Sequence, residues 1–294
     1  MQPHESCWTS AFGEVSSSSN EPSENHSVSL AHENSGGART KTGTEPETDG
    51  HSEFDLEDVS KFFDSISAEY GGAIRRCVPR YDEMTWAMFE YLPDAISNAA
   101  DVLELGCGTG NLTEKLIQQF PNGCLTLVDI SASSIEACQK RFREVEAVLN
   151  EPAPVYQRMN FRTADFRELE YEAGSFDLVT SAISIHHLTS VEKQQLFAAV
   201  FDWLRPGGVF VFADQFAGAT TAIYEKHIQN WHAYTRQAGA SQAEWDMWME
   251  HQQEHDYHDP LGSQWSWLEE AGFTEVDCQW RHLLWTVLSA RKSA

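Results

Sequence analysis

Glycines and a carboxylate stand where buried strands are predicted to end. Residues 101–110 read DVLELGCGTG, a short apolar strand that runs into a turn with three glycines and then into a helix. Glycine adopts positive φ without steric cost and lets a ligand approach the backbone, while the following helix offers unpaired N–H groups. Asp129 ends the next strand about twenty residues further on, where a carboxylate can accept hydrogen bonds from ribose hydroxyls. These residues predict a site for a nucleotide-like cofactor.

Two further polar groups follow later strands of the same predicted sheet. After the third strand come Asp165 and Phe166, a carboxylate that can accept from an adenine amino group and a ring that can pack beside the base. Residues 180–188, TSAISIHHL, leave the fourth strand at the same edge, where open α/β sheets bind ligands. Each aspartate taken singly could instead cap the helix or turn after it, so that alternative stays open.

The elements that would position these groups alternate along the chain. Two amphipathic helices, joined near Pro79, precede and cover the first strand, which spans 102–105. Alternating strands and helices predict a parallel sheet with helices on both faces. The later predicted strands are Leu125–Asp129, Met159–Thr163, Phe176–Ile183 and Gly208–Phe212, and the helices between them are Asn111–Phe120, Ser133–Asn150 and Val191–Leu204.

The C-terminal part of the chain is predicted to close the sheet. Arg205–Gly208, RPGG, is expected to be the turn before the last parallel strand. A helix ends at Gly272, and the strands Thr274–Trp280 and His282–Ala290 follow closely enough to pair as an antiparallel hairpin at the sheet edge.

Two segments interrupt this regular organisation. Residues 1–52 are acidic and rich in Ser, Asn, Gly and Thr without any hydrophobic period, which predicts a disordered tail before one domain at 53–294. Residues 218–262 form one or two helices rich in Trp, His, Gln and Glu. We expect this insert to be a helical lid over the molecule that reacts.

Composition narrows the classes of partner. Acidic residues outnumber basic ones 45 to 20, a formal charge of −25, which disfavours direct binding of nucleic acids. The six cysteines show no C-x-x-C spacing, as expected in a reducing compartment. With no apolar run of about 18 residues and no signal-like N-terminus, the sequence predicts a soluble, cytoplasmic protein without a membrane span. It leaves the oligomeric state open, a homodimer included.

The motif series resembles that of class I S-adenosylmethionine-dependent methyltransferases. The matching segments are Glu104–Gly110 (ELGCGTG), Val128–Ser131 (VDIS), Ala164–Phe166 (ADF), Phe176–Val179 (FDLV) and Leu204–Gly208 (LRPGG). The three glycines are spaced as G-x-G-x-G, whereas nicotinamide dehydrogenases have G-x-G-x-x-G. The resemblance implies a Rossmann-like, seven-stranded, mostly parallel sheet with an antiparallel last strand, and S-adenosylmethionine as cofactor.

The resemblance also implies roles for particular residues. Gly106 and Gly108 would lie against the methionine part of the cofactor, and Asp129 would bind its ribose. Asp165 would bind adenine, with the ring bracketed by Phe166 and Ile130. The remaining residues assigned to the cofactor site are Tyr81, Glu104, Cys107 and Ser181.

A narrower resemblance concerns the enzymes related to carboxy-S-adenosylmethionine synthase, a subgroup often labelled as acting on wobble uridine. Phe63–Tyr70 (FDSISAEY) and Cys77–Asp82 (CVPRYD) carry it. It implies that Tyr81 contacts the methionine end of the cofactor and that Arg236 holds an extra carboxylate. The sequence departs from the synthase pattern in its glycine turn and at Ser181–Ala182, where the synthase has an asparagine.

Candidates for acid–base work follow the fourth and fifth strands. Methyl transfer from a sulfonium is an in-line displacement, and it needs a base only when the nucleophile must lose a proton. Imidazole titrates near neutral pH, which favours His186 and His187. Asp214 ends the fifth strand, and His227 and His232 on the insert are further candidates. An Ile-His-His-Leu turn can also serve packing alone.

The insert carries candidates for substrate binding. Trp231 could wall an apolar substrate or belong to the insert's own core, as could Trp245 and Trp248, and His187 and Arg236 complete the predicted substrate site. Positions i and i+4 of a helix share a face, so we considered a metal site at His251, His255 and His258. Neither a cysteine nor a carboxylate completes a zinc set there, and Pro260 ends the helix, so no metal is predicted.

The sequence therefore predicts a methyltransferase acting on a small molecule. The first alternative is a carboxy-S-adenosylmethionine synthase-like enzyme linked to tRNA modification. The second is a non-catalytic protein that binds the cofactor or a partner, with the acidic tail as the interacting element.

Overall fold

The computed structural model describes residues 70–149 and 155–294. The predicted tail at 1–52 and the first part of the helical cover lie outside the described residues, as does the end of the helix predicted to reach Asn150.

Seven strands form one sheet, as predicted. They are β1 (Asp101–Leu105), β2 (Cys124–Asp129), β3 (Met159–Thr163), β4 (Phe176–Ala182), β5 (Leu204–Gln215), β6 (Thr274–His282) and β7 (Trp285–Arg291). Their order is β3-β2-β1-β4-β5-β7-β6. Strands β1 to β5 are mutually parallel, and β7 runs antiparallel between β5 and β6. The chain leaves β1 toward β3 and returns to β4 on the other side of β1, so the switch point of the sheet lies between β1 and β4.

Helices cover both faces of this sheet. The described helices are α1 (Tyr70–Cys77), α2 (Tyr81–Glu90), α3 (Asn111–Gln119), α4 (Ala132–Leu149), α5 (Ser190–Trp203), α6 (Thr221–Gln237), α7 (Gln242–His255) and α8 (Leu261–Glu270). Alternate side chains of β1 enter two separate cores: Val102 packs in the core with α2 and α3, and Leu103 packs in the core with α5 and α8. This alternation is the period of two that a strand buried on both faces requires. None of the described helices is both long and apolar enough to cross a bilayer.

The insert after β5 is fastened to the N-terminal helices. Trp231 of α6 is 2% exposed, and its indole N–H donates to the carbonyl of Cys77 at 2.7 Å. One turn later, the Tyr234 hydroxyl donates to the carbonyl of Arg75 at 3.2 Å. Arg76 pairs with Glu244 of α7 at 2.7 Å. Helices α6 and α7 therefore hold α1 in place.

Both ends of the insert leave the sheet at one point. The backbone N–H of Ala217, just after β5, donates to the carbonyl of Asp259 at 3.0 Å. Ala217 and Pro260 also form an isolated parallel bridge. Residues 218–259 are thus a loop whose two ends are hydrogen-bonded to each other.

Two boundaries differ from the prediction for local reasons. The RPGG segment lies inside β5 rather than before it, because pairing with β4 begins at Leu204 and resumes at Val209 after a shift of register. The hairpin turn falls at residues 283–284, where Leu283 has a φ of 56°, so β7 begins at Trp285 rather than at His282. The other described strands and helices match the predicted ones to within a few residues.

Candidate functional site

A cleft opens at the carboxyl ends of β1, β2 and β4, where the switch point predicts ligand binding. The space between its walls, counted out to open solvent, is about 990 Å³. Helices α1 and α2 contribute Ile74 and Tyr81 to its wall. The predicted site residues that line the cleft are Tyr81, Glu104, Gly106, Cys107, Gly108, Asp129, Ile130, Asp165, Phe166 and His187.

The two glycines of the turn that line the cleft, Gly106 and Gly108, differ in the space around them. Gly106 has a φ of +73°, and a Cβ added there would lie 2.1 Å from Oγ of Ser184 in the turn after β4. Gly108 has a φ of +51°, and an added Cβ would meet no described atom within 4 Å. Gly106 is therefore required by packing, whereas Gly108 faces open space and leaves its backbone accessible from the cleft.

The carboxylate of Asp129 is held by the backbone on both sides. Its Oδ2 accepts from the N–H of Gly108 at 2.8 Å, and its Oδ1 accepts from the N–H of Ser131 at 2.9 Å. Each carboxylate oxygen has further lone pairs for a ligand. The strand-end aspartate and the glycine turn consequently form one rigid unit at the wall of the cleft.

Glu104 is a buried acid at the base of the cleft. It is 1% exposed, and the hydroxyl of Thr113 donates to its Oε2 at 2.6 Å. Burial raises the pKa of Glu104 from 4.5 to about 8, although the hydrogen bond from Thr113 opposes this shift. A cation beside Glu104 would favour its ionised form.

Asp165 caps a turn, which is the alternative role that the sequence left open, and it also lines the cleft. It caps the short 3-10 turn that follows by accepting from the N–H of Arg167 at 2.9 Å, and it pairs with the guanidinium at 2.6 Å. The same guanidinium reaches Glu192 at 2.9 Å. Asp165 and the Phe166 ring nevertheless line the cleft, so the ion pair fixes the position of this wall.

Of the residues predicted to bind the cofactor or the substrate, three are not among the described residues that line the cleft. Ser181 is fully buried, and its hydroxyl donates to the Leu105 carbonyl at 2.8 Å, so it links β4 to β1. Arg236 is exposed on the last turn of α6. Trp231 packs against Trp245 and Trp285, which makes it part of the core instead of a substrate wall.

The candidate lid needs a similar correction in its placement. None of the described residues that line the cleft comes from 218–262; Ile74 of α1 and Tyr81 of α2 cover it instead. His232 stacks on Trp245 with ring centroids 4.4 Å apart, and His227 also lies away from the lining. The insert contacts the cleft-lining His187 through His251 of α7 and through Asp256 in the loop after α7.

The predicted acid–base residues lie at the end of the cleft. His186 is 3% exposed, with its Nδ1 2.5 Å from Oδ1 of Asp214 and its backbone N–H donating to Oδ2 of Asp214 at 3.0 Å. Burial alone would lower the pKa of His186, but the carboxylates of Asp214 and Asp256 outweigh it and raise this pKa. Burial and neighbouring His186 lower the pKa of His187. Of the three predicted residues, only His187 lines the cleft.

Sequence reasoning missed Asp256. Its side chain is 3% exposed, in the loop after α7, and Oδ1 lies 3.2 Å from Nδ1 of His187 and 3.6 Å from Nε2 of His186. The backbone N–H of Tyr257 donates to the His186 carbonyl at 2.7 Å and joins this loop to the turn after β4. The residues of this cluster are 70 positions apart in the sequence, so no local motif could have indicated it.

The sheet order, the glycine turn, the strand-end carboxylate and the cleft together define an α/β protein of the class that binds nucleotide-like cofactors at a switch point. Residues 102–208 match the family described as a methyltransferase domain. This match supports a class I S-adenosylmethionine-dependent methyltransferase domain over that part of the chain.

Two relatives illustrate the sequence similarity. The chain is 26% identical over 183 residues to a malonyl-[acyl-carrier protein] O-methyltransferase of Paenibacillus sp., covering 60% of this chain and 56% of the relative. It is 26% identical over 157 residues to a carboxy-S-adenosyl-L-methionine synthase of Shewanella loihica, covering 53% of this chain and 60% of the relative. Both matches thus span less than two thirds of the relative.

Among solved structures, the fold is similar to that of phosphoethanolamine N-methyltransferase 2 of Haemonchus contortus. The TM-score is 0.58 at 16% identity, and the match covers 82% of this chain and 60% of the other. At this identity the likeness concerns the fold.

Proposed function

We propose that the cleft binds S-adenosylmethionine and that the protein transfers its methyl group to a small-molecule acceptor by in-line displacement. The observation that carries this proposal is the carboxylate of Asp129, held by two backbone N–H groups at the wall of the cleft. A carboxylate fixed in this way can accept hydrogen bonds from both ribose hydroxyls without losing side-chain entropy on binding.

The rest of the cleft fits the chemistry of the cofactor. Open space at Gly108 leaves room for the methionine part to approach the backbone. Glu104 can become ionised beside an ammonium group, and Phe166 and Ile130 offer apolar surfaces for a base. Asp165 stands beside Phe166 and can accept from an amino group of that base.

The acceptor belongs beside His187 in this proposal. The sulfonium supplies an already activated methyl group, so the protein's task is to align the acceptor, which can contribute about 7–11 kcal/mol. His187 lines the cleft and can take a proton from an acceptor, while Asp214 holds His186 and the turn that carries both histidines. Residues 218–262 close this end through Asp256, so the insert acts on the acceptor side of the domain that begins near residue 53.

Calorimetry with S-adenosylhomocysteine and S-adenosylmethionine tests the cofactor assignment. Asp129→Ala should weaken binding about 10- to 100-fold, because charge-assisted hydrogen bonds contribute about 1.5–3 kcal/mol. Asp246→Ala is the matched control, since Asp246 is exposed on α7, and it should bind like the wild type. Unchanged affinity of the Asp129→Ala protein would contradict the proposed pocket.

A carboxy-S-adenosylmethionine synthase-like activity is the second candidate. Similarity to the synthase of Shewanella loihica favours it, whereas the exposed position of Arg236 does not favour a residue that holds an extra carboxylate in the cleft. Mass spectrometry of the nucleotide that copurifies with the full chain distinguishes the two. A carboxylated adenosyl ligand would favour the synthase-like activity and a link to tRNA modification; S-adenosylmethionine or S-adenosylhomocysteine would favour methyl transfer.

A further inference from the structure

Asp256 stands among four histidine side chains. Its Oδ1 lies 3.2 Å from Nδ1 of His187, 3.6 Å from Nε2 of His186 and 3.7 Å from Nε2 of His251. Its Oδ2 lies 3.5 Å from Nε2 of His258. All five side chains are at least 86% buried, because their exposed fractions range from 3% to 14%. The cluster joins the turn after β4 to α7 and the loop that follows it.

Most of these separations are longer than a hydrogen bond and match the edges of a metal coordination sphere. Three imidazole nitrogens surround the buried Oδ1 of Asp256, and of these only Nδ1 of His187, at 3.2 Å, lies within hydrogen-bond distance. In a tetrahedral site with bonds of about 2.0–2.2 Å, neighbouring ligand atoms are about 3.3–3.6 Å apart. The donor atoms of His186, His187 and Asp256 all lie within 4.8 Å of one another.

Two histidines of the cluster, His186 and His258, are oriented as metal-binding histidines usually are: the ring nitrogen that points away from Asp256 has a partner of its own. Nδ1 of His186 contacts Asp214 at 2.5 Å, which leaves Nε2 facing Asp256. Nδ1 of His258 lies 2.7 Å from the hydroxyl of Tyr224, which leaves its Nε2 facing Asp256 as well. A carboxylate or hydroxyl on the far nitrogen fixes the ring and its tautomer, and such partners are a regular feature of metal-binding histidines.

Charge balance points in the same direction. The buried carboxylates of Asp214 and Asp256 lie close to the same histidine, His186, and burying charges without compensation is costly. The nearby cation, Lys193, is 2.7 Å from Asp259 and is already paired there. A divalent cation would compensate both carboxylates, one charge more than a protonated His186 can supply.

We propose that His186, His187 and Asp256 bind a divalent first-row transition metal ion, with His251 and His258 as further ligands. Two imidazoles and one carboxylate are a donor set for Zn²⁺, Fe²⁺, Co²⁺ or Mn²⁺, whereas Ca²⁺ and Mg²⁺ prefer oxygen ligands throughout. His187 also lines the cleft, so the ion would stand at the end of the methyl-transfer site. Although His187 belongs to both proposals, metal binding can be measured without a cofactor or a methyl acceptor, so the two proposals can fail separately.

Metal content and cobalt spectroscopy test this inference on the full chain. The protein is purified without a polyhistidine tag, stripped with a chelator and titrated with Co²⁺, and then with Zn²⁺ in competition with a chromophoric chelator. We expect visible d–d absorption that saturates near one ion per chain, and a rise in melting temperature with bound Zn²⁺. A wild-type protein that takes up neither ion under these conditions overturns the inference.

Three variants locate the site. Asp256→Asn removes the anionic ligand at nearly constant size and should abolish the cobalt spectrum. Asp214→Asn acts through His186 and should weaken metal binding about 10- to 100-fold, as changes to the outer partners of ligating histidines do. His282→Gln, on β6, is the control and should bind like the wild type. Equal affinity in the wild type and both aspartate variants, with circular dichroism showing that all are folded, would also overturn the inference; should a variant unfold, the wild-type titration decides.

Discussion

The buried acid at the base of the cleft, Glu104, has a raised pKa, so the binding of a cation beside it should be coupled to the loss of its proton. Burial holds its pKa near 8, so the carboxyl keeps its proton at neutral pH when no cation is near. A cationic ligand would favour ionisation, and binding should release a proton from this group. The same shift affects folding, because the unfolded chain ionises Glu104 near its ordinary pKa of 4.5.

Glu104→Gln should therefore change the pH dependence of stability. Between pH 4.5 and 8 the folded state keeps a proton that the unfolded state loses, so this group makes the free energy of unfolding fall as pH rises. Glutamine can still accept from Thr113 but cannot ionise. Thermal unfolding of the ligand-free protein should show the variant gaining stability relative to the wild type from pH 5 to pH 8.

The control for this prediction is Glu83→Gln, because the Glu83 side chain is 57% exposed. Its melting temperature should follow that of the wild type across the same pH range. A constant difference between Glu104→Gln and the wild type would contradict the role of burial.

Residue types along the sequence predicted most residues that line the cleft, but they did not predict that Asp256 joins His186 and His187 at its end. Gly106, Gly108 and Asp129 were predictable because a turn, a close backbone approach and a strand end each demand particular residues locally. Arg236 was assigned through a resemblance, and its exposure does not support that role. Asp256 had no local signal, since its partners His186 and His187 lie on another element.

At the scale of elements, the cover of the cleft depends on the insert. Helix α1 contributes Ile74 to the cleft wall, and its last carbonyls are among those that lack partners within a helix. Trp231 of α6 satisfies one of them at Cys77, and Tyr234 satisfies another at Arg75. The insert thus supports the cofactor cleft from behind.

Trp231→Phe should loosen this support. The substitution keeps an aromatic ring in the core but removes the donor to Cys77, which should lower the free energy of unfolding by about 1–3 kcal/mol. Because α1 carries Ile74, affinity for S-adenosylhomocysteine should fall several-fold. Urea denaturation and calorimetry measure the two effects.

Trp86→Phe is the matched control, because Trp86 is 53% exposed on α2. It should change neither quantity. A Trp231→Phe protein with unchanged cofactor affinity would show that α1 is held by its other contacts alone.

The sequence defined the elements better than their connections. Apolar runs and breakers located the strands. The turn was misplaced because Arg205–Gly208 form an irregularity between the pairs that Leu204 and Val209 make with β4, instead of leaving the sheet. Residues 218–262 were expected to cover the site, but the described residues that line the cleft come from α1 and α2 and not from this insert. Such assignments depend on tertiary contacts, such as the Arg76–Glu244 pair, that hydrophobic periodicity does not encode.

Over the whole molecule, the dominant feature is its negative charge. With 45 acidic and 20 basic residues, the formal charge is −25 at pH 7. Such an excess repels other polyanions and destabilises a compact chain by self-repulsion. The net charge therefore disfavours direct binding of nucleic acids.

Salt should stabilise this protein. Raising NaCl from about 10 mM to about 150 mM shortens the Debye length from about 30 Å to about 8 Å, which screens the repulsion between distant carboxylates. We expect the melting temperature at pH 7 to rise by several degrees, as measured by differential scanning fluorimetry. A fall would mean that attractive surface pairs, such as Arg75–Asp82, outweigh the excess charge.

The hydrogen-bonded junction at Ala217 and Asp259 gives the molecule a modular character. Closing the insert at its base fixes the distance between its ends, so a replacement would have to match only this junction and the packing of Trp231 against α1 and Trp285. Another pair of helices could replace the insert between Ala217 and Asp259 and make new contacts to α1, while the glycine turn and Asp129 remain unchanged. Acceptor choice could thus diversify among descendants of one scaffold without rebuilding the cofactor cleft.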